Sequence, residues 1–394
     1  MEGYMLGGEN IPETKFRDGL AAQIGEAGAE EFNWEFRRRF FTEQDADRIK
    51  KLGINCVRIP FNHKLIEISP FKIDSRSMEF LKTVVSWFAE REIYVILDMH
   101  AVPGCQNRDW HSDSEGEMDF YTNPESRERF VYLWKELSGI FKDEEWVAGY
   151  DIMNEPVVRN PDGGGGDARA ANLAQGGPAQ TGNPELEVLK DAFRAVIKAV
   201  RENGDQHIIF LEGHQWAQRV EFLADMVSGG HAAHCGGNVA LSVHFYEPTE
   251  FTFNTDPTLH YPGKVHGKLW DRAAIKQYLS QYAQYNVPVY VGEFGVSAGD
   301  TAAADTACPA ADDKYRWVAE VVSVMCDLGY HWTYWTYKSV AGMPWPDGLY
   351  QISEYFTGMK NVGRQLAADK GRFYENLDTS RFKLNHRLLD LLQK

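Results

Sequence analysis

Cysteine is scarce in this 394-residue chain: the five residues Cys56, Cys105, Cys235, Cys308 and Cys326 are odd in number and form no CxxC pair. That excludes a disulfide framework and a cysteine-rich zinc site. Positive charge is also short, with 41 Lys and Arg against 57 Asp and Glu and a formal charge of −16. Such a field repels phosphate backbones and anionic membrane surfaces, so neither nucleic acid nor membrane is an expected partner. No apolar run approaches the roughly 18 residues of a membrane span. The opening Met1-Glu2-Gly3-Tyr4 has neither the basic nor the apolar region of a signal peptide. The chain therefore reads as cytoplasmic, or as the mature form of a secreted protein whose leader was removed. No GxGxxG follows the first apolar run, which removes the main dinucleotide-binding cue.

Aromatic residues, in contrast, are plentiful. Eleven Trp, 18 Tyr and 22 Phe make 13% of the chain, enough both for a large core and for stacking on the apolar faces of sugar rings. Eight short apolar runs end in polar residues: Tyr4–Gly8, Cys56–Pro60, Ile93–His100, Val147–Glu155, His207–Gly213, Val239–Tyr246, Val287–Phe294 and Tyr330–Tyr337. Runs this continuous are expected of parallel strands covered on both faces. Helical spacing recurs between most of them, over Thr42–Lys51, Ser77–Arg91, Glu125–Phe141, Glu185–Arg201, Arg272–Tyr285 and Asp312–Asp327. Val220–Val227 is the weakest such stretch, and Phe382–Leu392 closes the chain. Eight strands alternating with about eight helices predict an α/β fold, a (β/α)8 barrel, as one domain over residues 1–394 with long loops on the C-terminal face. The Gly- and Pro-rich stretch at 160–184 reads as a loop insertion after the fourth strand.

In such a barrel the C-terminal strand ends point into the mouth. Here those ends carry Arg58, His100, Asn154 with Glu155, Glu212, His244 with Tyr246, Glu293 and Trp335. A metal hydrolase would need clustered His and Asp ligands, and an enolase-type site acids on consecutive strands plus a basic Lys; neither pattern is present. Two glutamates on the fourth and seventh runs do suit glycoside hydrolysis, in which one carboxyl protonates the leaving oxygen and the other attacks or stabilises the anomeric carbon. Apolar walls around one and an Arg beside the other would separate their pKa values.

The segment Asp151-Ile152-Met153-Asn154-Glu155-Pro156 resembles the Asn-Glu-Pro signature of glycoside hydrolase family 5. Val57-Arg58-Ile59-Pro60, Asp98-Met99-His100, Val243-His244-Phe245-Tyr246, Gly292-Glu293-Phe294-Gly295 and Trp335 are similar to the family's other motifs, in order, from Gly3 to about Lys338. The resemblance implies a retaining β-glycosidase without metal or organic cofactor. Glu155 would be the acid/base and Glu293 the nucleophile, about 5–5.5 Å apart. It implies that Arg58 and Tyr246 hold Glu293, that Asn154 takes the sugar 2-hydroxyl, that His100 and His244 touch substrate or tune the acid, and that Trp335 floors the reacting sugar. The expected partner is a β-linked oligosaccharide or polysaccharide, and the oligomeric state is left open.

His100–Asn107 resembles the corresponding loop of exo-β-1,3-glucanases, whereas His244–Pro248 and Trp335–Lys338 look more like endo-β-1,4-glucanases. The expected activity is endo-β-glucanase-like. An exo-acting β-glucosidase, exo-β-1,3-glucanase or β-mannosidase is the alternative, and a carbohydrate-binding pseudoenzyme the non-enzymatic one. Trp110, Trp216, Trp270 and Trp345 are candidate sugar platforms, although packing explains each alone more simply. Glu212 is expected to support the site by hydrogen bonding. Glu115 and Glu117 read as solvated, and His231-Ala232-Ala233-His234-Cys235 as a weak metal candidate.

Overall fold

A computed structural model describes residues 11–159, 182–227, 237–298, 309–339, 346–351 and 358–393. Seven parallel strands form one curled sheet in chain order: β1 (Cys56–Asn62), β2 (Tyr94–Ala101), β3 (Val147–Asp151), β4 (Ile208–Glu212), β5 (Val239–His244), β6 (Val289–Glu293) and β7 (His331–Trp332). They coincide with the last seven apolar runs of the sequence, and the architecture is a (β/α)8 barrel. The Tyr4–Gly8 run, most of the 160–184 insertion, the His231–Cys235 segment and Trp345 lie outside the described residues.

The outer layer is built from α1 (Glu13–Ile24), α2 (Glu26–Phe40), α3 (Glu43–Lys51), α4 (Ser75–Ala89), α5 (Pro124–Phe141), α6 (Pro184–Glu202), α7 (Arg272–Ser280), α8 (Pro309–Leu328), α9 (Gly358–Glu375) and α10 (His386–Leu392). Their starts follow local chemistry. Thr42 and Asp45 form a capping box on α3, and Asp74, Asn123, Asn183 and Asp271 accept first-turn amides of α4 to α7. Proline occupies the first turn of both α5 and α6, where no amide is needed. Among the described residues, no helix is long and apolar enough to cross a membrane.

Three helical expectations need correction. Phe382–Leu392 is helical only from His386, because Lys383–Leu384 pairs as a strand with Tyr350–Gln351 and Asn385 then caps the helix. Arg272–Tyr285 ends its α-helix at Ser280 and finishes in a 3-10 turn. Val220–Val227 shrinks to a 3-10 turn and one short helical turn. Helices α1, α2 and α9 were not anticipated. Their apolar faces meet in a second hydrophobic cluster around Phe16, Phe32, Phe36, Val362 and Phe373, and Tyr350 packs against both clusters.

The barrel interior is layered. Ile96, Phe210, Ala240 and Tyr290, with Cys56 and Ala148, form an apolar plug at the lower end. One step of two residues towards the C-terminal face brings Arg58, Asp98, Glu212 and Ser242 inside. Two register shifts add to this layer. Val95 pairs with Val147 while Ile96 pairs with Gly149, which inserts one residue into β3 and turns Asp151 inward. Val291 pairs with Val243 while Glu293 pairs with His244, which does the same for Glu293 on β6.

Candidate active site

Arg58 is the centre of the charged layer. Its Nε donates to Asp151 Oδ2 at 2.9 Å and one terminal nitrogen to Glu293 Oε1 at 2.8 Å. The other terminal nitrogen donates to Asn154 Oδ1 at 2.9 Å and Glu212 Oε1 at 3.2 Å, and lies 3.1 Å from Asp98 Oδ2. One buried guanidinium thus faces four carboxylates. Burial pushes Asp98 and Glu212 up to about 7 and Asp151 up to about 6, with Arg58 pulling each of them back down. Each of these carboxyls is therefore more readily protonated than an exposed one.

The two glutamates singled out by sequence stand across the mouth from each other, with an oxygen of Glu155, an oxygen of Glu293 and a nitrogen of His244 all within 4.8 Å of one another. Both oxygens of Glu293 are occupied, one by Arg58 and the other by the Tyr246 hydroxyl at 2.9 Å. Burial holds that phenol protonated, so it is a donor to the carboxylate. A cation held by these three residues would have to displace Arg58, Tyr246 or the His244–Glu155 contact.

Glu155 is surrounded differently from the sequence expectation. Instead of apolar walls it meets two imidazoles, with His244 Nδ1 at 2.8 Å from Oε1 and His111 Nε2 at 3.4 Å from Oε2. Burial alone would raise its pKa, but the His244 hydrogen bond and the charges of His111 and His244 outweigh it and lower the carboxyl below its ordinary value. His244, despite its burial, is pushed well above the usual imidazole value by Glu293, Glu212 and Glu155.

The main chain around Glu155 is held as firmly. Its amide donates to Glu212 Oε2 at 2.6 Å, and its carbonyl accepts from Asn107 Nδ2 at 2.9 Å. Gln106 Nε2 donates to the Asn154 carbonyl at 2.7 Å. These bonds fix Glu155 at φ 47°, a left-handed conformation that residues with a Cβ rarely adopt. Asn154 presents its side-chain oxygen to Arg58.

His100 donates to or accepts from Asp98 Oδ2 at 2.8 Å and stacks on Trp335, with centroids 5.5 Å apart and planes 10° apart. Gly295 lets the Trp335 backbone pass, since a Cβ there would lie 2.5 Å from the Trp335 carbonyl oxygen. All eight sequence-assigned residues, Arg58, His100, Asn154, Glu155, His244, Tyr246, Glu293 and Trp335, thus converge on one cluster, and Glu212 joins it as a hydrogen-bond acceptor. Trp270 does not: it is buried in the core against Tyr278, under the Lys268 ammonium.

Sequence reasoning missed Asp98, Asp151 and His111 as parts of the site. Asp98 shares a strand face with His100, a period-two signal that was available. Asp151 is a charge in an otherwise apolar strand, which needs a buried partner. His111 sits in the Trp110–Ser112 turn, where no periodicity marks it.

The Cellulase family (glycosyl hydrolase family 5) matches residues 19–340. A protein named Beta-xylosidase from Phanerodontia chrysosporium is 28% identical over 344 residues, which cover 86% of this chain and 65% of that protein's length. Endoglucanase C of Acetivibrio thermocellus is 21% identical over 78% of this chain and 87% of its own. Among solved structures, endoglucanase Cel5A from Thermotoga maritima superposes with a TM-score of 0.59 at 20% identity, covering 89% of this chain and 90% of that one. At that identity the likeness concerns the fold.

Proposed function

This chain belongs to glycosyl hydrolase family 5, and from that premise we propose that it hydrolyses β-linked glucans or gluco-oligosaccharides with retention of configuration, in the manner of an endo-β-glucanase. The observation that carries this reading is the placement of Glu155 and Glu293 oxygens within 4.8 Å across the mouth, close to the separation of a retaining pair. Glu293, held by hydrogen bonds from Arg58 and Tyr246, attacks the anomeric carbon. The bond from that carbon to the leaving oxygen breaks, and the leaving oxygen takes the proton shared by Glu155 and His244. In the second half, Glu155 recovers a proton from water as the hydroxyl attacks the glycosyl ester and releases Glu293.

The resemblance of the His100–Asn107 loop to exo-β-1,3-glucanases favours a second reading, exo-action as a β-glucosidase, exo-β-1,3-glucanase or β-mannosidase. Early products from a soluble polysaccharide separate the two, since an endo enzyme releases a spread of sizes and an exo enzyme one small product. The retaining mechanism is tested with Glu293→Gly. It should lose turnover of aryl β-cellobioside yet yield the α-glycosyl azide when azide and an activated substrate are supplied; full hydrolysis by that variant would overturn the assignment.

A further inference from the structure

We infer that His111 is a positioning residue for the acid/base, holding the oxygen of Glu155 opposite the one held by His244 and setting how readily that carboxyl releases its proton. The inference rests on the acid/base reading of Glu155 given above. Each oxygen of Glu155 has its own imidazole, His244 on Oε1 at 2.8 Å and His111 on Oε2 at 3.4 Å. The His111 contact is long for a hydrogen bond, and catalytic contacts of this kind tighten when substrate fills a site.

The turn that carries His111 is built to hold it there. Its Nε2 also lies 3.5 Å from Asp109 Oδ2, and that same oxygen accepts from the Trp216 indole at 2.7 Å. The Asp109 amide donates to Asn107 Oδ1 at 2.8 Å, and the Ser112 hydroxyl donates to the carbonyls of Asn107 at 2.9 Å and Asp109 at 2.8 Å. Asn107 in turn donates to the Glu155 carbonyl. One hydrogen-bonded segment therefore grips the main chain of Glu155 and also reaches its side chain, so the same contacts set the distance between imidazole and carboxylate. Trp216 is carried by a backbone with positive φ at Gln215, Trp216 and Ala217, which aims its indole at Asp109. That gives the indole a role distinct from packing.

The sign of the effect follows from the charges facing Glu155. Glu212 lies on β4, His244 on β5, Glu293 on β6 with Arg58 of β1 upon it, and His100 with Asp98 on β2; Asp109 shares the turn. All of these persist when His111 is replaced. A donor or cation on a carboxylate favours its ionised form. Burial raises the Glu155 carboxyl, the His244 hydrogen bond lowers it most, and the charge of His111 lowers it next. Removing His111 thus leaves a more basic and less well-placed acid.

The test uses the full chain, with kcat/KM measured against pH for wild type, His111→Ala and His111→Asn on phenyl and 2,4-dinitrophenyl β-cellobiosides. A poor leaving group needs the acid and an activated one does not. For His111→Ala we expect a loss of about tenfold or more on the phenyl substrate, under about threefold on the dinitrophenyl one. The basic limb should move up by about half a pH unit. His111→Asn, which keeps a donor, should recover part of the phenyl activity, and it carries the comparison if the alanine variant does not fold. Equal losses on both substrates with an unmoved limb, or an asparagine variant no better than alanine, overturn the inference. Glu155→Ala is run beside them. If it keeps phenyl turnover, the acid/base reading fails and this inference with it; if it loses phenyl turnover and His111→Ala matches wild type, only the His111 inference fails.

Discussion

The backbone amide of Glu155 is bonded to the buried carboxylate of Glu212 at 2.6 Å. Glu212 Oε1 meanwhile accepts from Arg58 at 3.2 Å and lies 3.3 Å from His244 Nε2. One side chain from β4 thus joins the cation that holds Glu293, the imidazole that holds Glu155 and the strained backbone of Glu155 itself. A non-glycine residue in the left-handed region costs on the order of 1 kcal/mol or more and persists where surrounding bonds over-determine it.

Glu212→Ala should therefore cut kcat/KM by about tenfold or more while costing about 1–3 kcal/mol of stability, because the Glu155 amide is left buried and unpaired. Glu212→Gln keeps an acceptor for that amide and should lose less of both. Steady-state kinetics beside urea unfolding checks this; an alanine variant as active as wild type would contradict the role.

The same substitution has a pH signature. Burial, reinforced by Asp151, raises Glu212 from 4.5 to about 7, so the folded state keeps a proton that the unfolded chain releases across that interval. Its contribution to stability consequently falls as pH rises from about 4.5 to about 7 and is lowest above that. Glu212→Gln does not titrate. Its stability relative to wild type should improve over this window by at most about 3 kcal/mol. Unfolding both proteins at about pH 5 and about pH 8 reads the difference; a constant gap would mean that Glu212 is ionised throughout.

Asp113 ties α1 to the His111 turn. It accepts from the Thr14 amide at 2.7 Å, the Thr14 hydroxyl at 2.6 Å, Lys64 at 2.8 Å and Asn62 at 3.1 Å. It thereby caps a helix from 99 residues away. Asp113→Ala should cost about 1–3 kcal/mol and speed proteolysis within α1. Unchanged cleavage would show that the second hydrophobic cluster alone secures that helix.

The two tryptophans Trp335 and Trp270 should separate function from packing. Trp335→Ala is expected to lower kcat/KM by about tenfold or more through loss of a stacking face. Trp270→Phe should lower the melting temperature and leave KM unchanged, because that ring lies in the core. A KM change in the latter would place it at a sugar subsite after all.

Much of this was legible in the residues. Apolar runs marked β1 to β7 because a parallel strand covered on both faces must be apolar along its length. Helical spacing marked α4 to α7, because an amphipathic helix repeats its apolar face every three to four residues. Polar residues at the strand ends placed Arg58 and Glu212 at the mouth, because C-terminal strand ends face it in a barrel. The second imidazole on Glu155 was not legible, since His111 comes from a turn that no periodicity marks.

The sequence by itself determined the barrel and the identity of the groups at its mouth, because apolar runs and helical periodicity act over a few residues and are written in neighbouring side chains. Tertiary structure decided how those groups are aimed and charged. The inserted residues of β3 and β6 turn Asp151 and Glu293 inward only when strands pair, and the imidazoles that flank Glu155 and the four carboxylates that face Arg58 meet only once the elements that carry them close together.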